Sequence, residues 1–467
     1  MSKLKVLGTA ILCFSIIAAL AILPGCKEPE VIVETVTETV TETVVETVEV
    51  EAEEEGPSED YAITVWKFGG TRIERNYGAT KTAAWNEANP DMMAEWVEND
   101  WSARSELVVT SFETGNLPDV IIVDTQSIPD FAAMGAIQSF SDLAPEMVSE
   151  WEDKFVPETF DLGWYQDKFY GFSTYVDIAT FLGYSTEIVR KAGLVNDEGD
   201  AVGPETWDEL IEYCEVLQAE GFGAIALSLT GIATDMNMIE GIAYANGGRW
   251  LDEDGNVAVS GPGFVDAVQL YADLAPYALP GAVESNYRDN AVQFFNGQAG
   301  LYPALSWVGV FNTELQIPPD FAYNLTTFPV NPNPSGNFEP ASGIMTGTFC
   351  PMITTNAKNV EAALAYVDYW TQDEQVIGWN GSVQFGRVPT ALVCWSSADI
   401  ERFWPDLKER YDEGTLFKGV LPMPAFPGLN ESYEYFGTAL QEVVLGVSDA
   451  QTAMDKFADE VKEILGQ

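Results

Sequence analysis

Asn116-Leu-Pro-Asp-Val-Ile-Ile-Val-Asp124 decides how this chain is read. A turn, Asn116-Leu-Pro-Asp119, leads into Val120 to Val123, an unbroken apolar run of the kind found in a strand covered on both faces. Upstream, Tyr61-Ala-Ile-Thr-Val-Trp-Lys-Phe68 alternates like a strand. Between the two, Trp85, Met92, Met93 and Trp96 fall near helical spacing and predict a helix over 80–100, kinked or broken at Pro90. Leu107-Val-Val-Thr110 reads as a further strand, and 128–135 as a helix. This βαβαβ rhythm predicts a parallel, doubly wound sheet.

The rhythm returns downstream. Phe181-Leu-Gly-Tyr184 and Ala224 to Leu229 are strand-like. Thr206 and Glu209 form the two ends of a capping box at the head of a helix over 207–218. Residues 357–370 and 448–465 read as amphipathic helices. A body of about 407 residues exceeds one such sheet, so two α/β lobes are expected. Ligands of open α/β sheets bind outside the carboxyl ends of the strands, and in two lobes those edges can face each other across a cleft.

Composition narrows the function. The 467 residues hold 73 Asp+Glu, 22 Lys+Arg and no His, a net charge of −51. Without imidazole, Ser-His-Asp and Cys-His nucleophile pairs and the HExxH zinc helix are excluded. So strong an acidity argues against nucleic acid, whose phosphates are held by clustered Lys and Arg. Hydrophobic residues at 46% supply a large core and rule out disorder throughout.

The first sixty residues form an address and a tether. Lys3 and Lys5 precede an apolar run from Val6 to Leu23, the pattern of a secretory signal. Leu23-Pro24-Gly25-Cys26 resembles a bacterial lipoprotein lipobox with Cys26 as the acylated residue, so residues 1–26 are expected to be a lipoprotein signal peptide. Residues 27–60 hold 13 acids, one Lys and an imperfect Val-Thr-Glu-Thr repeat. Thr and Val form helices poorly, so this segment is expected to be a disordered acidic spacer reaching at most roughly 110 Å. It would hold the body outside the membrane. Cys214, Cys350 and Cys394 remain in the body, an odd number without CxxC spacing, which leaves one disulfide or three buried thiols open.

Several stretches resemble, in family order, the family 1 extracellular solute-binding proteins of ABC importers, which bind mostly sugars. Asn116 to Asp124 resembles that family's "GN-PDV" strand. Tyr170-Gly-Phe172 followed by Tyr184 to Leu194 resembles "YGiP…YNkdlfkkaGl", and Pro204-Glu-Thr-Trp-Asp-Glu-Leu210 resembles "PkTWdEl". Asn246-Gly-Gly248 with Leu251 to Gly255 resembles "nGG…ld.dG", and Phe295 to Ala299 with Ser306-Trp307 resembles "F.nGkaAM…gsW". The resemblance implies a two-lobed α/β periplasmic-binding-protein-like fold, two doubly wound sheets joined by a hinge with the ligand cleft between them. It implies one lobe of 61–172 plus 341–384 and another of 173–340 plus 385–467. It further implies a monomer that binds a small solute, most often a carbohydrate, and docks on ABC permease subunits, with no catalysis and no cofactor.

A sugar site needs aromatic platforms and groups that meet hydroxyls. Trp307 occupies the family's stacking position, with a core Trp as the alternative. Trp66 ends the first strand and fits either reading. Asp124 stands at the carboxyl end of its strand, where a turn or helix cap is the other reading. The resemblance places polar contacts at Tyr175 and Asp177, after the first hinge crossing. It places a further contact at Asp235, in a loop before Asn246-Gly-Gly248, where a solvent-exposed acid is the favoured reading, and an aromatic contact at Tyr433. Gly343 would let backbone amides approach a ligand, or simply turn the chain. Arg387 offers a guanidinium fork for vicinal hydroxyls or a carboxylate, or an internal ion pair.

Two metal readings fail. Asp252-Glu-Asp-Gly-Asn256 lacks the EF-hand's Gly at position 6 and Glu at position 12, and Asn196 to Asp200 is more simply an acidic turn. No P-loop is present in the sequence, so energy coupling would belong to another protein. The rivals are a glycoside hydrolase using two carboxylates, a ligand sensor, and a binding protein for a polyamine or polyol. The tether carries −12 of the charge and the body −41, so the acidity belongs mainly to the folded surface, as expected for salty surroundings.

Overall fold

The computed structural model describes residues 61–467 except 231–232, 307–316, 318–320 and 383–385. The signal, the tether, Cys26 and Trp307 lie outside the described residues. Twelve strands occur among them: β1 (Ile63–Phe68), β2 (Ala94–Asn99), β3 (Val120–Val123), β4 (Trp164–Tyr165), β5 (Lys168–Phe169), β6 (Tyr175–Ser185), β7 (Leu301–Leu305), β8 (Tyr323–Thr327), β9 (Gly343–Thr348), β10 (Cys350–Ile353), β11 (Val388–Pro389) and β12 (Val420–Pro422). β3 is buried at all four residues, as its unbroken apolar run requires. The first sheet has the order β10-β3-β1-β2, with β1 parallel to both β2 and β3 and β10 antiparallel at the edge.

The βαβαβ rhythm holds, but two of its elements lie elsewhere than expected. The first helix is Arg72–Ala88, opened by a capping box of Thr71 and Glu74. It ends before Pro90, and Ala94–Asn99, expected to continue it, is the edge strand β2. Leu107 to Thr110 is not a strand; it lies inside the helix Arg104–Thr114. There Val108 and Ser111 are buried one turn apart, and Gly115 closes the helix in the left-handed conformation at φ 69°. Helical periodicity on one face overrides the strand preference of Val-Val-Thr.

The second sheet is organised on β6. Its first half pairs antiparallel with β9 and β11, its second half with β7 and β8, and the register shifts between Ala179 and Phe181. Ala224 to Leu229 makes only isolated bridges at Ile225 beside Ala278 and Leu301, not a regular strand. The Thr206–Glu209 capping box opens the helix Trp207–Ala219 as expected, and the last helix is Ala450–Leu465.

Buried side chains fall into separate cores. Ile63 to Ile178 and Met345 to Phe417 supply two clusters around the first sheet. Ala179 to Ile344 and Met423 to Val461 supply a large cluster and a smaller satellite. The switch occurs between Ile178 and Ala179 in β6, between Ile344 and Met345 in β9, and between Val420 and Leu421 in β12. Register sets Ala179 and Leu421 both beside Ile344, so three crossing strands change lobe at one level. The return crossing therefore lies at 420–421 rather than after 384, because Val388, Cys394, Trp395 and Ile400 pack with the first core.

Cys214, Cys350 and Cys394 are free thiols, each buried. No helix among the described residues is long and apolar enough to cross a membrane.

Candidate functional site

The carboxyl ends of the parallel strands β1, β2 and β3 converge on the second lobe. After β2, Trp101 packs on Gly69, whose φ of 64° and lack of a Cβ the contact requires: a Cβ there would lie 2.9 Å from the indole. The Arg104 guanidinium stacks over the Trp101 ring at 4.4 Å. It donates to Asp124 Oδ2 at 3.2 Å and across the lobes to Asn430 Oδ1 at 3.0 Å. Asp124 also caps the turn that follows β3, accepting from the Ser127 backbone N–H at 2.8 Å. For Asp124 the structure contains the turn cap, and the same carboxylate also orients the Arg104 fork.

Two further contacts cross the same seam. Asp130 accepts from the Gly428 N–H at 2.7 Å and from Asn430 Nδ2 at 3.3 Å, at the start of the helix Leu429–Val444. Burial raises the pKa of Asp130, with the Asp124 charge adding and the two donors opposing. Gln126 Nε2 donates to the Tyr433 hydroxyl at 3.2 Å, and that hydroxyl donates to Glu240 Oε2 at 2.8 Å. The seam therefore brings together a guanidinium, carboxylates, amides and the Tyr433 hydroxyl beside the Trp101 indole.

A second polar group lies at the hinge. Arg387 Nη1 donates to Asp177 Oδ2 at 2.5 Å, and its Nε stands 3.3 Å from Glu74 Oε1, close enough to pair but not aligned for a hydrogen bond. The guanidinium covers the Tyr175 ring at 4.5 Å, while the Tyr175 hydroxyl donates to Glu74 at 2.9 Å. Burial raises the pKa of Asp177, against the pull of Arg387. For Glu74, burial is outweighed by Arg387, the Thr71 N–H, Lys67 and Tyr175, so its pKa is lowered. Burial brings Lys67 down to about 8, with Glu74 opposing. Asp177 Oδ1 and the hydroxyls of Thr346 and Thr348 on the adjoining β9 complete no hydrogen bond.

The sequence candidates divide accordingly. Asp124 and Tyr433 meet at the seam, and Tyr175, Asp177 and Arg387 meet at the hinge. For Arg387 the internal ion pair is what the structure contains. Trp66 is half-buried against the core of Phe68, Val108 and Ile121. Gly343 is not in a turn: it starts β9, is buried, and pairs with Val420. Asp235 belongs to the first turn of the helix Ala233–Ala245 rather than to a loop, because the apolar run around Met236, Ile239 and Ile242 extends that helix almost to Asn246. The Asp252 carboxylate serves its own turn, accepting from the N–H groups of Asp254 and Asn256.

Sequence reasoning missed Arg104, Gln126, Asn430, Glu240, Lys67 and Glu74. Lys67 and Glu240 each carried a signal, a lone charge inside an apolar strand or helix stretch, and Glu74 closes a Thr-x-x-Glu capping box.

A family model described as bacterial extracellular solute-binding protein matches residues 74–377, more than half of the chain. An arabinooligosaccharide-binding protein of Halalkalibacterium halodurans is 25% identical over 417 residues, covering 85% of this chain and 79% of that one. The maltose-bound T. maritima protein MalE3 superposes with a TM-score of 0.73 at 20% identity, covering 85% of this chain and 99% of the other. An ABC transporter solute-binding protein of Thermotoga lettingae, solved with alpha-D-tagatose, gives 0.72 at 22% identity and covers 87% and 100%. These likenesses give the two lobes, two cores and three crossing strands their place as a two-lobed periplasmic-binding-protein fold. The chain belongs to the bacterial extracellular solute-binding proteins.

Proposed function

We propose that the protein captures a sugar or short oligosaccharide between its lobes and delivers it to the permease of an ABC importer, without chemical turnover. The observation that carries this reading is the seam itself. Arg104, Gln126 and Asp130 on one lobe face Asn430 and Tyr433 on the other, at the strand ends where open α/β sheets take ligands. Alternating donors and acceptors beside the Trp101 indole suit a molecule with many hydroxyls and weakly apolar ring faces. The sugars named for the relatives point to the same class.

In this reading Cys26 carries the lipid, and the acidic segment 27–60 holds a monomeric body outside the cell membrane within reach of the permease. Closure bends β6, β9 and β12 where they change lobe. Asp177, Thr346 and Thr348, with unmet polar atoms at that level, would join the ligand's hydroxyls from below.

A thermal-shift panel of arabinotriose, maltose, tagatose, mannitol and spermidine tests the class. A solute at 100 times its Kd stabilises the folded state by about 2.7 kcal/mol. The expected result is a concentration-dependent rise in Tm with one or more of the carbohydrates and none with spermidine. A response to spermidine alone would replace the sugar reading with a cationic one, and silence across the panel at millimolar concentrations would overturn both.

A further inference from the structure

Glu240 is the most isolated acid among the described residues of the second lobe's interior. It is fully buried, on the helix Ala233–Ala245, beneath Tyr433. Its single hydrogen-bond donor is the Tyr433 hydroxyl, and its second oxygen, Oε1, completes no hydrogen bond; neither does the nearby Trp250 indole N–H. Buried carboxylates are ordinarily paired with a cation, because an ion without one is strongly disfavoured. The helix of Glu240 packs against β6, β7, β9 and the helices Pro262–Leu274 and Leu429–Val444, and none of these elements carries a Lys or Arg. The phenols set against it are Tyr433 and, on its own helix, Tyr244. Charged groups on the packing elements are all acids, and several are engaged elsewhere: Asp177 with Arg387, Asp266 with Ser335, Glu442 with Lys456.

Tyr433 is also the point at which the first lobe reaches this acid, because Gln126 donates to its hydroxyl across the seam. Withdrawing the first lobe would expose the hydroxyl, and through it the carboxyl, to water. With the lobes together, Gln126 covers that hydroxyl. We propose that Glu240 is a positioning residue of the cleft, acting through Tyr433, so that lobe closure, and with it solute affinity, follows the protonation of this one carboxyl.

The direction follows from solvation. In the sealed state burial lifts the acid to about 8, and the Tyr433 hydroxyl and Trp250 indole only partly oppose the rise. Water reaching the acid in the open state brings it back towards the ordinary carboxylate range. Closure therefore takes up a proton near neutrality, and alkaline conditions favour the open form. A glutamine at this position imitates the neutral acid in shape and hydrogen bonding but has nothing to titrate. The affinity consequence rests on the cleft being the solute site; the closure consequence does not.

Small-angle scattering of the ligand-free protein between pH 6 and 9.5 reads closure directly, with Glu240→Gln and Tyr433→Phe alongside. The wild type is expected to expand as pH rises towards about 8 and to change no further above it, Glu240→Gln to keep one compact profile throughout, and Tyr433→Phe to lose the pH response. Circular dichroism confirms that each variant folds, and if Glu240→Gln does not, the Tyr433→Phe comparison decides alone. A wild type that keeps one profile over this range overturns the proposal, as does a folded variant that expands in step with it. In parallel, arabinotriose affinity should fall by up to about tenfold per pH unit as pH rises towards about 8 in the wild type, level off above it, and stay level throughout in Glu240→Gln. If arabinotriose fails to bind at any pH, the solute reading suffers and the scattering result still stands or falls by itself. A purely structural Glu240 would shift Tm in the variant and leave both pH profiles parallel.

Discussion

Arg387→Ala is expected to lower the free energy of unfolding by about 3–5 kcal/mol at neutral pH, the range for removing one partner of a buried ion pair. The arginine neutralises two carboxylates at once, Asp177 and Glu74, and its side chain is only 13% exposed. Without it, Lys67 is the one cation left against Glu74 among the described residues, and burial has already weakened that lysine's hold on its proton. The sign of the pH dependence can be tested in the same experiment. Losing Arg387 raises both folded-state carboxyl pKa values, that of Asp177 from a level burial has already lifted. The deficit relative to wild type should therefore be small below about pH 4, where the unfolded carboxyls are also protonated, and grow as pH rises. Urea unfolding at pH 4, 5.5 and 7 reads this, and a loss under 1 kcal/mol at pH 7 would show that the cluster is hydrated rather than sealed. Arg387→Lys restores charge without the planar fork and should recover only part of the loss.

The second large effect concerns Glu240 and has the opposite sign. A carboxyl whose folded pKa lies near 8 rather than its ordinary 4.5 holds its proton in the native state long after the unfolded chain has released it. Stability is greatest below the unfolded value and is lost as pH rises through the folded one. At about 1.36 kcal/mol per unit, the loss across that window is at most on the order of 5 kcal/mol, less whatever opening of the lobes relieves. Glu240→Gln should therefore match the wild type near pH 4.5 and unfold at a higher temperature by pH 8. Equal melting curves at both pH values would mean that a water or cation already satisfies the acid.

Much of this architecture was legible where one local rule acted alone. The run Val120–Val123 had to be a buried strand, and Thr206 with Glu209 had to open a helix. The errors came where two local rules competed. Val108 and Val109 favour a strand, but Gly115 supplies a helix stop and Ser111 continues a buried helical face, and the helix wins. Beyond Pro90, Trp96 falls at helical spacing from Trp85, yet Ala94–Asn99 completes an unpaired edge of β1, and pairing wins. In the site, individual residues could be nominated by their place at strand ends and in family motifs, which is how Asp124, Asp177 and Tyr433 were reached. Their partners could not. Arg104 and Asn430 are separated by 326 positions, and nothing local to either announces the other. Burial was only faintly visible: Glu240 stands as a lone charge in an apolar helix stretch, and what folds over it is not written there.

The claim that the lobes take a carbohydrate at their seam is tested most directly by calorimetric titration of the wild type and Arg104→Ala with arabinotriose. Arg104 both bridges the lobes and presents its fork to the cleft, so its loss should weaken binding whether it touches the sugar or only assists closure. The account predicts one site per chain in the wild type and at least tenfold weaker binding in the variant, about 1.4 kcal/mol. Binding of equal strength in both proteins would contradict it, because the sugar would then be held somewhere other than the seam.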